Sequence, residues 1–265
     1  MSMLQVLIST MNQVDHSLLD RMNVQSDAIV VNQCERNEIE TFTYKGNTIK
    51  WISMTERGVG LSRNICLLNA TADIILFADE DIVYQDGYTG EVISAFSSSP
   101  LADVICFNIN LKNSSKNIGK HRNNKRIKKL HFYNTLRYGA TLIGARRKAL
   151  IRERVYFSTI FGGGAEFSSG EDSLFLKDCL KARLKIYSGT YFLGDVDDST
   201  SSWFMGINEK LLVDRGRLYS LMFKRVSTPV FIFYAFKLRK KGMRYGMHDI
   251  YRMFREGQKA METYR

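Results

Sequence analysis

The chain has 265 residues, a formal net charge of +11, 45% hydrophobic residues, only two prolines and four cysteines. That length and apolar content suit one large domain, or a domain with an appendage, around a sizeable core, and the scarcity of proline argues against long disordered linkers. The positive charge favours polyanionic partners, whether nucleic acid, anionic lipid head groups or phosphorylated substrates, without choosing among them.

In chain order, MLQVLIS (3–9) reads as a strand, VDHSLLDRMN (14–23) as a short helix, AIVVN (28–32) as a second strand and TIKWIS (48–53) as a third. GLSRNICLLNA (60–70) has helical spacing, with Leu61, Ile65 and Leu68 on one side. DIILFA (73–78) is a continuous apolar run, as expected of a central parallel strand covered on both faces. This βαβ succession predicts an α/β sheet. A helix near 88–97 and strands at 103–111 and 140–145 follow. Between those strands, 112–129 is rich in Asn, Lys and Arg and reads either as a solvated basic loop or as a mobile segment over an anionic substrate. The glycine-rich FGGGAEF (161–167) leads to an amphipathic helix ending near Ala182, with Ser169 as its expected cap and Asp172 in its first turn. From 206 onward, aromatic and aliphatic residues interleave with Lys and Arg, which predicts two or three amphipathic helices. The expected division is a catalytic domain over 1–205 and a helical extension over 206–265.

Cys34, Cys66, Cys106 and Cys179 form no CxxC pair, which argues against a zinc site, and three of them sit in apolar segments as expected of buried thiols. The first residues carry no basic leader, and no apolar run approaches the roughly 20 residues of a membrane span. A cytoplasmic chain is the expectation.

The stretch LFADEDIVY (76–84) places Asp79, Glu80 and Asp81 behind a buried strand. In open α/β sheets ligands sit beyond the carboxyl ends of the strands, which favours a site there over a decorative turn. Carboxylates spaced Asp-x-Asp suit a hard divalent cation shared with substrate phosphates, although acidic surface turns share the pattern. Glu80 is expected to point away, since alternate residues leave a strand on opposite sides.

Taken in order, LISTMNQ, VVNQ, GVGLSRN, ADIILFADEDIVY and GEDSLFLK resemble the family-two glycosyltransferases with the GT-A fold, over roughly residues 3–190. The resemblance implies a Rossmann-related, mostly parallel sheet flanked by helices. It also implies inverting, metal-dependent transfer from a nucleotide sugar, UDP-linked, to a saccharide or polyprenyl-linked acceptor in bacterial surface-polysaccharide synthesis. By the same resemblance Thr10 and Asn32 border the base, and Arg63 lies against the base or a phosphate. Asp79 reaches the ribose or a metal-bound water, and Asp81 coordinates Mg²⁺ or Mn²⁺. Asp172 is the expected general base, and Glu171 orients the acceptor or supports its loop. Gly162, Gly163 and Gly164 are expected to let the backbone approach an acceptor. Many relatives carry a late histidine as a third metal ligand, and here that stretch is LGDVDDSTSSW (193–203), so Asp195 or Asp197 replaces it or no third protein ligand exists. His16, His121, His131 and His248 fall in no constellation.

Lys224, Arg225, Lys237, Arg239, Lys240, Lys241 and Arg244 flank FIFYAF (231–236). The segment reads equally as a surface that lies on an anionic membrane, on its inner face, or as a helical cap with solvated charges. Two other functions compete with transfer. A sugar-nucleotide-forming nucleotidyltransferase needs a Gly-rich basic loop after the first strand, and STMNQVDHS (9–17) lacks it. A nucleic-acid-binding protein would use the positive charge, but no RNP, KH, helix-turn-helix or zinc-finger pattern occurs, so no nucleic acid is expected.

Overall fold

The structure is a computed structural model that describes residues 3–112, 123–197, 208–240 and 242–263. His121, most of the basic stretch after 112 and the 198–203 part of the Ser/Thr-rich run lie outside the described residues, as does the side chain of Asp197.

One mixed sheet carries the fold. Its strands are β1 (Leu4–Met11), β2 (Asp27–Gln33), β3 (Glu38–Tyr44), β4 (Asn47–Met54), β5 (Ile74–Asp79), β6 (Ile82–Tyr84), β7 (Val104–Lys112), β8 (Lys128–Lys129), β9 (Ile143–Arg146) and β10 (Ile186–Asp197). They are ordered β3-β4-β2-β1-β5-β9-β7-β10-β6, with β8 beside β10. The pairings run β4, β2, β1, β5, β7 and β10 in one direction, and β3, β9, β6 and β8 against them. β1 and β5 are buried along nearly their whole length, as their unbroken apolar runs require.

Four strands escape the hydrophobic pattern: the short β6 and β8, and the longer β3 and β10. β3 is an edge strand with Glu38 and Glu40 along it and Ile39 exposed, so no apolar alternation marks it. Its signal is the Lys45-Gly46 turn, where both residues adopt positive φ (48° and 82°), the conformation of a two-residue hairpin. β10 is long and bent, with register shifts against β7 near Phe192. The segment after residue 122 is also more ordered than a solvated loop. Asn124 is buried, donates to the carbonyls of Cys106 and Gly189, and exchanges hydrogen bonds with Asn108.

Helices α1 (Leu18–Arg21), α2 (Val59–Asn69), α3 (Tyr88–Ser98), α4 (Phe132–Thr135), α5 (Arg147–Arg152) and α6 (Glu171–Lys181) belong to this α/β body. Three more follow: α7 (Glu209–Phe223), α8 (Ser227–Lys240) and α9 (Met247–Thr263). They enclose a core of their own around Leu212, Phe231, Phe254 and Ile250. α7 and α9 cross closely, because a Cβ on Gly257 would stand 1.9 Å from the Val213 carbonyl oxygen and one on Gly216 would stand 2.2 Å from that of Phe254. A further apolar cluster joins Leu218, Met222 and Met261 of these helices to Phe161, Phe167 and Leu174 of the α/β body. Among the described residues no helix is long and apolar enough to cross a membrane. All four cysteines are buried and free, and His16 stacks on Phe42 at 4.3 Å in a structural role.

Candidate active site

A cavity of about 360 Å³ opens at the carboxyl ends of β1, β2 and β5. Register explains its position: Ser9 pairs with Asp79 and Thr10 with Asn32, so the last residues of adjacent parallel strands end on one rim. The first turn of α6 closes the opposite wall with Glu171 and Asp172.

Arg63 joins the two sides. It is 3% exposed and donates to Asp79 Oδ1 at 2.7 Å, Glu171 Oε1 at 3.0 Å and Asp172 Oδ1 at 3.0 Å. Burial works against the guanidinium's charge, but the three carboxylates outweigh it and keep the group ionised. Arg63 thus lines the cavity with both terminal nitrogens on carboxylates, while its Nε finds no hydrogen-bond partner among the described residues. The missed signal lies on α2 itself: Arg63 shares the buried face with Cys66 and Leu67, and a buried cation requires anionic partners.

Other expectations are corrected at the same rim. Asp79 uses one oxygen on Arg63 and accepts from Thr141 Oγ1 with the other, at 2.9 Å. Glu80 does not point away. β5 ends at Asp79, and the turn at Glu80 and Asp81 abandons strand alternation and swings Glu80 toward β1, where it accepts from Thr10 Oγ1, Gln13 Nε2 and the Met11 N–H. Thr10 thus lines the cavity while held by a carboxylate. Asn32 is fully buried and off the cavity wall. Its amide exchanges hydrogen bonds with the backbone of Gln13, which shapes the loop after β1. Asp81 lines the cavity. Asp195 does not: its carboxylate takes Lys112 at 2.7 Å and Asn110 at 3.1 Å.

The glycine-rich loop puts Gly163 on the cavity wall and also packs against the start of α2 and against Glu171. Gly162 has φ +111°, and a Cβ there would stand 2.7 Å from Val59 and 2.9 Å from Glu171. The Gly163 carbonyl accepts from the Val59 N–H, so this loop buttresses the start of α2. Gly170, not Ser169, is the residue that caps α6, and Glu171 Oε2 accepts its N–H at 3.1 Å. Glu171 thus supports the loop.

Asp172 is the carboxyl most altered by its surroundings. Burial and the neighbouring Glu171 and Asp79 charges push its pKa well above the ordinary value, against the opposing pull of Arg63 and of a hydrogen bond from the Ala140 backbone. A partly shielded carboxyl held in this state suits proton transfer to or from a bound hydroxyl.

The cavity wall carries Asp79, Glu80, Asp81, Glu171 and Asp172 against one guanidinium, Arg63. A diphosphate would be repelled there unless a cation came with it. Hard carboxylate oxygens fit Mg²⁺ or Mn²⁺. Among the described residues no three His, Cys, Asp or Glu side chains converge on one point, so the fit is to an ion held by one or two carboxylates that takes its remaining ligands from phosphate and water.

The sequence profile of Glycosyl transferase family 2 matches residues 11–156, more than half of the chain and the part that includes β2, α2 and the 79–81 carboxylates. The chain belongs to glycosyl transferase family 2. Curated protein sequences gave no match to this glycosyltransferase. Among solved structures, the crystal structure of Staphylococcus aureus TarS 1-349 resembles it with TM-score 0.59 and 14% identity, over 99% of this chain and 92% of that one. The same protein in complex with UDP-GlcNAc matches with TM-score 0.58 and 14% identity, over 99% and 91%. Its complex with UDP matches with TM-score 0.54 and 16% identity, over 99% and 92%. At such identities the likeness is one of fold, and it extends through the C-terminal helices.

Proposed function

We propose that this glycosyltransferase moves a sugar from a UDP-sugar donor to a saccharide or lipid-linked saccharide acceptor of a surface polysaccharide, with inversion at the anomeric carbon. The observation that carries this reading is the cavity in which the carboxylates ending β5 face those opening α6 across Arg63. The TarS complexes with UDP and UDP-GlcNAc, on the same fold, support the choice of nucleotide.

In this reading Asp81 holds Mg²⁺ or Mn²⁺ at the donor diphosphate, with Asp79 beside it. When bound, the ion neutralises charge developing on the leaving group. Thr10 borders the nucleotide, and Glu80 fixes it in place. Asp172 takes the proton of the acceptor hydroxyl as that oxygen bonds to the anomeric carbon and the bond from this carbon to the diphosphate oxygen breaks. Arg63 holds Asp172 at one oxygen and so fixes the direction of the other. Residues 1–205 act as the catalytic domain, and 206–265 as a unit that contacts the acceptor and an anionic membrane surface. On α8, Ile232, Phe233 and Phe236 are 50–59% exposed beside Lys237, Arg239 and Lys240, which supports the membrane assignment.

Calorimetric titration of UDP into the protein with Mn²⁺, and again with EDTA, tests the reading. Binding is expected with the ion, absent with EDTA, and lost in Asp81→Asn. Metal-independent binding, or an unaffected Asp81→Asn, would remove Asp81 from the site.

A further inference from the structure

Adjoining the donor cavity at Asp172 lies a second cavity of about 440 Å³ between the segment after α4 and helices α7 and α8. The two cavities share Ser169 and Asp172. Asp172 gives Oδ1 to Arg63 on the donor side, while Oδ2 faces Gly139 on the wall of the second cavity, 3.5 Å from where a Cβ would stand.

The chemistry of the two walls is opposite. The first carries five carboxylates. Among the described residues, Asp172 is the one carboxylate of the second, against Arg137, Arg215 and Lys237. Arg137 is held by Asn124 and Tyr138. Arg215 and Lys237 form no ion pair among the described residues; on α7 the neighbouring Asp214 uses its two oxygens on Lys210 and Arg217. Arg215 is half-buried, so its charge is less screened there than on an open surface. Tyr219 and Tyr234 line the same space and stack at 4.7 Å, and Lys237 Nζ lies 5.5 Å from the Tyr234 ring. Lys237 is exposed. Rings beside these two cations offer one surface to the C–H face of a sugar and another to its anionic group.

We propose that this second cavity is the acceptor site and that it selects an anionic saccharide, with Arg215 and Lys237 taking its phosphate or carboxylate while a hydroxyl is presented to Asp172. A neutral acceptor would leave both cations unpaired at the cavity wall. The proposal rests on the reading of Asp172 as the base, and it adds the charge class of the acceptor.

Saturation-transfer NMR with glucose 6-phosphate, glucuronic acid and glucose tests it, alongside the UDP titration. Both or one of the anionic sugars should bind at least about tenfold more tightly than glucose, and the stronger of the two identifies phosphate or carboxylate as the group selected. Arg215→Gln and Lys237→Gln should each weaken that binding about fivefold, the size of one partly exposed charged hydrogen bond, with UDP affinity retained. The sugar should remain bound when UDP and Mn²⁺ saturate the donor cavity. Equal binding of all three sugars, displacement by UDP, or indifference to both substitutions overturns the acceptor assignment while the donor reading stands. A protein that fails to bind UDP, yet binds the anionic sugars through Arg215 and Lys237, overturns the donor reading instead.

Discussion

Arg63 and Asp172 are the two side chains on which the site's charge balance turns. Arg63 is a buried cation whose partners come from two ends of the site, and removing it leaves three carboxylates facing one another. Arg63→Met should cost about 2 kcal/mol in chemical denaturation, less than the roughly 3–5 of a fully enclosed pair because Asp79 and Asp172 keep contact with water. Asp172→Asn should leave UDP binding intact and lower transfer about 10²–10⁴-fold, the usual range for a lost general base. Transfer at the normal rate would reassign the base. Because the Asp172 pKa is raised, its basic form disappears as pH falls at values where an ordinary carboxylate is still ionised. The acid limb of the kcat/KM profile should therefore lie above the ordinary carboxylate range and be absent from whatever residual activity Asp172→Asn retains.

At the scale of elements, α7 is fastened to the glycine-rich region by Asp214. This carboxylate, 2% exposed, accepts from the Ser168 N–H and Oγ, Lys210 and Arg217. Burial opposes its charge, but the Lys210 and Ser168 hydrogen bonds outweigh it and hold the pKa below the ordinary value. A lowered carboxyl pKa contributes stability above the unfolded value of about 3.9, and that contribution fades as pH falls through the folded one. Asp214→Asn should accordingly be less stable than wild type at pH 7, with the gap in denaturation midpoint narrowing below about pH 4. An equal gap at both pH values would show that the charge is not what fastens the helix. The α7–α9 crossing makes a separate prediction. Gly257→Ala puts a methyl group against the Val213 carbonyl and should destabilise by about 1–3 kcal/mol, lowering the thermal midpoint.

For the whole molecule, the net charge of +11 and the exposed Phe233 and Phe236 of α8 lead to one expectation. The protein should co-sediment with phosphatidylglycerol vesicles, not with phosphatidylcholine ones, and added salt should release it. Phe233→Ala with Phe236→Ala should weaken that binding about tenfold. Binding that ignores lipid charge or both phenylalanines would return the segment to its other reading, a solvated helical cap.

Much of this was legible along the chain. The apolar runs of β1, β2 and β5, the α2 periodicity, the carboxylates at 79–81 and the Glu171-Asp172 pair are local patterns, and local patterns determined the α/β class, the main parallel strands with α2 between them, and the family. What the tertiary structure decided is pairing at a distance. Arg63 meets Glu171 and Asp172 across 108 and 109 residues, a meeting that depends on sheet order and on where α6 docks. Glu80 turned inward because a strand ended, which alternation does not foretell. Asp195 went to Lys112 because β10 lies beside β7. The second cavity exists only where α7 and α8 close on the segment after α4. Periodicity reports which face of an element is buried. It does not report which other element covers that face, and a binding site is made where two such faces meet.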